Sequence, residues 1–257
     1  MRIIQMHWHN IFINETKNKF IMIKKIFFIL VVFQLTACAE LSQLGTDLLS
    51  SESPLTNAEA GRGLKEALKK GVMTGVSLVS KRDGYFKNPL IKIPFPTEAQ
   101  KVKNTLDQIP GGSLLTANVV EKINRGAEDA AKGAGKIFGN AITNMSFSDV
   151  MGILMGEKNA ATQYFKSTTT KKLFNSFNPV IKTSLSKVKA LDAWSRVITK
   201  YNTLPLVKKV NPSMDGFVTN KAIDGLFVMI EKEELAIRKN PAERTTDLMK
   251  KVFAKQD

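Results

Sequence analysis

The only cysteine of the chain, Cys38, stands in a sequence context that predicts covalent attachment of lipid. Two lysines at residues 24–25 precede an apolar run at residues 26–33, and small residues lead up to the cysteine. This order is typical of a bacterial lipoprotein export signal, in which the cysteine sulfur receives a diacylglyceryl group through a thioether and the chain is cut just before that residue. The predicted lipobox consists of Leu35, Thr36 and Ala37, and the predicted lipidation site is Cys38.

The apolar run of this predicted signal is too short to be a permanent membrane span. It contains eight residues, whereas about 20 are needed to cross a bilayer. We therefore expect residues 1–37 to be removed as a signal segment, with Met22 as an alternative start, and residues 38–55 to form a flexible lipidated tether. Ala39, and not aspartate, follows the cysteine, which is typical of outer-membrane sorting in Gram-negative bacteria with the domain facing the periplasm.

Processing at Cys38 would leave a domain that has neither histidine nor a free thiol. The chain has two histidines, His7 and His9, and both lie in the predicted signal. Histidine is the commonest general base near neutral pH and the commonest metal ligand. The mature chain therefore excludes Cys–His and Ser–His–Asp catalysis and zinc sites built from histidine or cysteine. We expect no metal site and no cofactor.

A few glutamates could still act as acid and base without histidine. Lytic transglycosylases, as a class, cleave glycans with a single glutamate, so Glu66, Glu233 and Glu234 are candidates for that chemistry. The alternative is an ion-pair network, because Glu234 and Arg238 are four residues apart on one helical face and other charged residues follow nearby. We favour the network, which would clamp the last two helices together, and we predict no catalytic residue. The predicted structural ion pairs involve Glu234, Arg238, Arg244 and Asp247.

Ser184 and Lys187 have the S-x-x-K spacing of the nucleophile motif in penicillin-binding proteins. In those enzymes the companion motifs lie far apart and need a sheet. In this chain the matching residues overlap within a dozen positions, so chance in a stretch rich in serine and lysine explains the match better.

Most of the surplus positive charge lies in one stretch, residues 166–209. This stretch holds ten cations against Asp192 alone, in a chain whose formal charge is +15. Such a surface attracts acidic partners: phospholipid or lipopolysaccharide phosphates, peptidoglycan carboxylates or an acidic protein. A solvated helix face is the alternative, and a lipobox protein gives no reason to expect nucleic acid. The predicted contacts to an acidic partner are Lys171, Lys172, Lys182, Lys187 and Lys189.

The periodicity of apolar residues predicts an all-α fold, a single domain of about eight helices over residues 56–257. Thr56 with Glu59, and Thr97 with Gln100, have the spacing of capping boxes at helix starts. Further helices are expected at residues 115–141, from Ser146, at 160–176, from Asn178-Pro179, at 190–201, at 215–239 and from Thr245/Thr246 to 254. Residues 87–96 contain three prolines and are expected to be extended, held by Leu90, Ile91, Ile93 and Phe95.

Several short stretches fall in the order and spacing of a known group of proteins. They are residues 64–68 with 71–72, 83–85, 88–89, 92–94, 160–165, 201–202, 224–227, 233–234, 237–241 and 244–248. In these stretches the chain resembles the bacterial lipoproteins of the domain-of-unknown-function family 4197, over roughly residues 55–254. The resemblance implies an exported helical domain and implies no activity.

Together these features favour an exported, lipid-anchored envelope protein that binds or supports rather than catalyses. One alternative is a helical carrier of an apolar or lipid ligand, with a pocket formed by Phe217, Phe227 and Met229. A second is a glycan-active enzyme that uses Glu66 or Glu234.

Overall fold

The structure, a computed structural model, describes residues 54–108, 110–187, 199, 202–203 and 214–254. Within these residues the chain is helical with connecting turns and contains no strand, which confirms the predicted all-α class for the part described. The predicted signal, the predicted lipobox and Cys38, most of the predicted tether, Lys189 and the predicted helix at residues 190–201 lie outside the described residues.

The helices follow one another with mostly short connections. They are α1 (Asn57–Ser80), α2 (Gln100–Asp107), α3 (Gly112–Ala131), α4 (Ala134–Thr143), α5 (Phe147–Leu154), α6 (Ala160–Ser186), α7 (Met214–Lys239) and α8 (Asp247–Phe253). Short 3₁₀ turns at Thr97–Ala99 and Pro241–Glu243 stand before α2 and α8.

Polar side chains cap the N-termini of three of these helices. At α1 the Thr56 hydroxyl accepts from the Glu59 amide at 3.2 Å, while the Glu59 carboxylate accepts from the Thr56 amide at 2.9 Å. Ser146 and Asp149 form the same reciprocal box at α5, and the Thr246 hydroxyl caps α8. Each arrangement satisfies amides that have no partner inside the helix. The predicted starts of α1 and α8 are therefore confirmed.

The predicted capping box at Thr97 and Gln100 is wrong. A 3₁₀ turn at Thr97–Ala99 comes first, its N-cap is Pro96, and no side chain caps that turn. Gln100 is the first residue of α2, and its amide donates back to the carbonyl of Phe95 at 3.4 Å. The α-helix therefore starts at Gln100, after the 3₁₀ turn, and the glutamine side chain bonds to the backbone that precedes the turn and does not cap a helix.

The predicted single helix at residues 115–141 is divided into α3 and α4. The break lies at Lys132 and Gly133, whose amides donate to carbonyls only three residues back, at 3.3 and 3.1 Å. A Cβ on Gly133 would stand 3.2 Å from the Ser176 hydroxyl of α6. Glycine therefore weakens the helix at this point and also allows α6 to approach closely.

The predicted break at Asn178-Pro179 is also absent, because α6 runs through Pro179 without ending. The Asn178 side chain does not cap a new helix. Its amide donates instead to Asp215 and to Thr219 of α7, each at 3.2 Å. Proline removes one intrahelical hydrogen bond, yet Phe177 and Ile181 on either side are fully buried. Tertiary packing thus outweighs the local signal.

Burial along α6 recurs at every fourth residue. The buried residues of this series are Ala161, Phe165, Thr169, Leu173, Phe177, Ile181 and Leu185. Because an α-helix has about 3.6 residues per turn, each step of four advances the buried stripe by roughly 40° around the helix. α6 therefore contacts different neighbours along its length. The C-terminal end of α5 lies near its start, and α3 lies near its end.

Helix α1 packs closely against α7 and α8 through small residues. A Cβ on Gly63 would lie 2.5 Å from a methyl of Val252 in α8. On Gly71 or Gly75 it would lie 3.4 or 3.3 Å from isoleucine side chains of α7. Glycine at these positions lets the helix axes approach, so apolar side chains of α7 pack directly on the backbone of α1.

The connection between α1 and α2 is held to α7 by Tyr85. This side chain is fully buried, its hydroxyl donates to the carbonyl of Ala222 at 2.6 Å, and burial raises the pKa of Tyr85. Its ring lies only 2.9 Å from the position that a Cβ on Gly225 would occupy. Ile91, Ile93 and Phe95 are buried as predicted, but Leu90 is exposed, so this residue does not hold the segment.

We predict that Gly225→Ala destabilises the protein, because the added methyl would stand 2.9 Å from the Tyr85 ring and 3.1 Å from Cβ of Ile91. The matched control is Gly139→Ala, at a helical glycine where a Cβ would meet nothing within 4 Å. Both changes gain helix propensity, so overpacking should leave the first variant less stable by about 1–3 kcal/mol. Urea unfolding measures the difference, and equal midpoints would contradict the packing described.

Candidate functional site

Glu234 is a buried carboxylate that lies at the N-terminus of α6. Its two oxygens accept from the backbone amides of Ala161 at 3.0 Å and Thr162 at 2.9 Å, and from the Thr162 hydroxyl at 2.7 Å. Arg238, one turn further along α7, donates from Nε at 3.1 Å. The free amides and positive dipole of a helix start favour an anion there, so α6 and Arg238 together compensate the buried charge.

Arg238 extends this contact to a third helix. Its Nη2 donates to the carbonyl of Ile153 at 2.9 Å, near the end of α5. The side chains of Glu234 and Arg238 are only 7% and 9% exposed. One buried ion pair therefore joins α7 to the start of α6 and to the end of α5.

Arg244 and Asp247, which we predicted to share this network, make other contacts. Arg244 is buried and donates to the carbonyls of Ile237 at 3.1 Å and Arg238 at 2.9 Å, which satisfies carbonyls at the end of α7. Its guanidinium also lies 5.6 Å from the ring centre of Phe253 in α8. Asp247 is on the surface and pairs with Lys250 at 3.0 Å. Arg244 thus contacts both of the last two helices without Asp247.

The glutamates that we considered for acid and base chemistry occupy three different environments. Glu66 is exposed and accepts from the Thr246 hydroxyl at 2.8 Å. Glu233 is half-buried, and burial, with Glu243 nearby, raises its pKa. Both oxygens of Glu234 accept hydrogen bonds from the donors described above. This arrangement does not bring two of these carboxylates together around a common substrate position.

A cavity lies next to Glu234, between α1, α6 and α7. Its volume is about 20 Å³, and Leu68, Val72, Phe165 and Ile230 are among its lining residues. A space of this size holds about one water molecule and is too small for an acyl chain. Of the residues that we assigned to a carrier pocket, Phe227 and Met229 are buried in the core and Phe217 packs against it.

A second buried carboxylate, Glu128 of α3, was missed by the sequence analysis. One of its oxygens accepts from the amides of Tyr85 and Phe86, each at 3.1 Å. The other accepts from Arg125 at 2.8 Å. Arg125 also donates to Asp83 at 2.8 Å, and this bond is the main cause of the lowered pKa of Asp83. The site binds a turn of the chain, so its ligand is the protein's own backbone.

Asn124 makes a similar contact one turn earlier on α3. Its side chain accepts from the amide of Ile93 at 2.9 Å and donates to the carbonyl of the same residue at 2.9 Å. An asparagine amide matches a backbone peptide in donors and acceptors, so it pairs with this segment as a neighbouring strand would. The proline-containing connection is held by side chains of α3 because it forms no regular structure of its own.

Of the five lysines predicted to contact an acidic partner, three lie within α6 and Lys187 is its C-cap residue. Lys171, Lys172, Lys182 and Lys187 are exposed. With roughly 100° per helical residue, Lys171 and Lys182 differ by about 20° around α6, Lys172 lies about 100° from Lys171, and Lys187 lies about 160° away. We call Lys171, Lys172 and Lys182 the lysine face, since they project from one side of α6. Lys187 is the C-cap residue of α6, beyond its last helical turn, and is not included in this set.

Ser184, the serine of the S-x-x-K match, is half-buried against α3, where a Cβ on Gly126 would stand 3.2 Å from its own Cβ. Ser184 is thus part of a close helix contact, whereas Lys187 is exposed at the C-cap of α6. Of the helices in the described residues, none has both the length and the apolar character needed to cross a membrane. The described part of the chain also has no group of three or more His, Cys, Asp or Glu placed to hold a metal ion.

The buried charges of this all-helical domain, at Glu128, Glu234 and Arg244, are thus arranged as structural contacts. The chain belongs to the family of proteins of unknown function DUF4197, whose family model matches residues 54–254. No curated protein and no solved structure matches the chain significantly.

We predict that Glu234→Gln lowers the free energy of unfolding by about 3–5 kcal/mol, because it removes the negative charge of a buried ion pair with Arg238. The amide nitrogen of glutamine would also face the N–H groups at the start of α6. The matched control is Asp129→Asn, which removes an exposed pair with Lys132 and should cost less than about 1 kcal/mol. Equal urea midpoints for the two variants would contradict a structural role for Glu234.

The substitution of the adjacent residue, Glu233→Gln, should have the opposite effect and raise the free energy of unfolding. Since the folded-state pKa of Glu233 is raised, its ionised form is disfavoured by folding, and this cost applies at pH values above that pKa. The variant should therefore be slightly more stable than the parent at neutral pH. The gain should vanish in acid, where Glu233 is protonated in both states. A lower unfolding midpoint for the variant at neutral pH would contradict this sign.

Proposed function

We propose that this protein is exported, lipidated at Cys38, and held at the outer membrane with its helical domain facing the periplasm, where it acts as a non-enzymatic binding or structural module. The observation that carries the proposal is the order of residues 24–38: a basic pair, a short apolar run, and Leu-Thr-Ala before the only cysteine. Two acyl chains or more give stable anchoring, whereas one gives only marginal binding.

The contacts of the described residues support a binding or structural module over catalysis. Glu234 is engaged by four donors, and Glu66 is an exposed acceptor for the last N-cap. The described cavity beside Glu234 holds about one water. The exposed groups available for a partner are instead charges, and the lysine face lies on a helix that carries no aspartate or glutamate.

The anchor is tested by metabolic labelling with a palmitate analogue in a Gram-negative host. We expect label on the parent chain and none on Cys38→Ser, which should also leave the membrane fraction. The matched variant Ala39→Asp keeps the lipobox and should keep the label, but it should move the protein from the outer to the inner membrane fraction. Label on Cys38→Ser, or unchanged fractionation of that variant, would overturn the proposed anchoring.

A further inference from the structure

The lysine face offers positive charge without a neighbouring acid on its own helix. Lys171, Lys172 and Lys182 are exposed on α6, and α6 contains no aspartate or glutamate. Lys171 and Lys182 are eleven residues apart, which corresponds to about 16 Å along the helix axis. In the described part of the chain, a carboxylate of α7, Asp215, contacts α6 near this face by accepting from Asn178. The charge that α6 itself contributes is therefore only positive.

The hydroxyl side chains that flank these lysines along α6 provide little that would recognise a particular shape. The hydroxyls of Thr168, Thr170, Thr183 and Ser186 donate to carbonyls of their own helix, at 2.6–2.9 Å. The aromatic residues of the same stretch face inward, with Phe177 buried and Phe174 half-buried. The lysine face therefore presents exposed ammonium groups flanked by hydroxyls that are already hydrogen-bonded within the helix.

We propose that the lysine face docks the domain onto an anionic phospholipid surface, so that α6 lies along the membrane. This inference rests on the proposed anchor, which would keep the domain close to a bilayer. A layer of lipid phosphates attracts clustered lysines without requiring a fixed arrangement of partner groups.

An acidic protein partner fits this face less well. Protein interfaces depend on a few buried anchors, which are most often tryptophan, tyrosine or arginine, and none of these residue types occurs on the exposed side of α6 at residues 166–187. Arginine pairs with carboxylates through two parallel hydrogen bonds, whereas lysine acts as a point charge. A face made of lysines alone therefore suits a fluid layer of phosphates better than a fitted protein surface.

The test uses the full chain carrying Cys38→Ser, so that covalent lipid does not contribute. Binding is measured by co-sedimentation with vesicles of phosphatidylethanolamine and phosphatidylglycerol, and with vesicles of phosphatidylcholine alone. We expect a clear preference for the anionic vesicles, which should disappear near 1 M salt, where the screening length is about 3 Å. Replacing the lysine face with Lys171→Gln, Lys172→Gln and Lys182→Gln should weaken anionic binding on the order of a hundredfold, or about fivefold per lysine.

The matched control replaces three exposed lysines, in α1, at its C-cap and in α7, with Lys69→Gln, Lys81→Gln and Lys239→Gln. It lowers the net charge equally and should weaken binding by only a few-fold. Equal losses in the two triple variants would overturn the proposal, because net charge alone would then explain binding. Loss of binding to soluble polyglutamate by the lysine-face variant, with vesicle binding unchanged, would also overturn it and indicate an acidic protein.

The two proposals fail separately. Absence of palmitate on the parent chain removes the anchor but does not alter the vesicle result, which is obtained without acyl chains. Equal binding to anionic and neutral vesicles removes the docking surface and leaves the labelling result intact. Unfolding midpoints of both triple variants should equal that of the parent, since the substituted side chains are exposed.

Discussion

The architecture depends on compensation of one buried negative charge. Glu234 lies inside the helical bundle, where an ionised carboxylate is costly unless it is paired and hydrogen-bonded. The start of α6 supplies two amides and a hydroxyl, and Arg238 supplies the opposite charge. These donors are available only if α6 begins at Ala160 and α7 presents Glu234 toward it. The ion pair therefore fixes the relative position of the two longest described helices and, through Ile153, the end of α5.

The same principle holds the connection between α1 and α2. That segment has prolines and no regular hydrogen-bonding pattern, so its buried amides must find partners elsewhere. Glu128 and Asn124 of α3 supply those partners for Tyr85, Phe86 and Ile93. Long-range contacts between side chains and backbone thus replace the secondary structure that the segment lacks. Glu128 and Asn124 of α3 and Glu234 of α7 thus each accept from backbone amides of another segment.

Sequence reasoning succeeded where the signal is local and failed where the partner is distant. The cap at Thr56 was predictable because both members of the box lie within four residues. Glu128 and Asn124 carry no such signal, since their partners are 31–43 residues away. The course of α6 through Pro179 was missed for a related reason: burial at every fourth residue follows its changing neighbours, and the amphipathic pattern expected at a fixed 3.6-residue period is blurred.

The stretches by which the family was identified coincide with these structural contacts. Tyr85 fills the space beside Gly225, Glu234 binds the start of α6, and Arg244 satisfies carbonyls at the end of α7. A substitution at any of these positions changes the free energy of unfolding directly, so loss of a cellular phenotype there would not identify a functional residue. Exposed positions that contribute little to packing are more informative, because their substitution leaves the fold intact. On this protein they are the side chains of the lysine face, whose contribution can be measured while the buried ion pair holds the domain together.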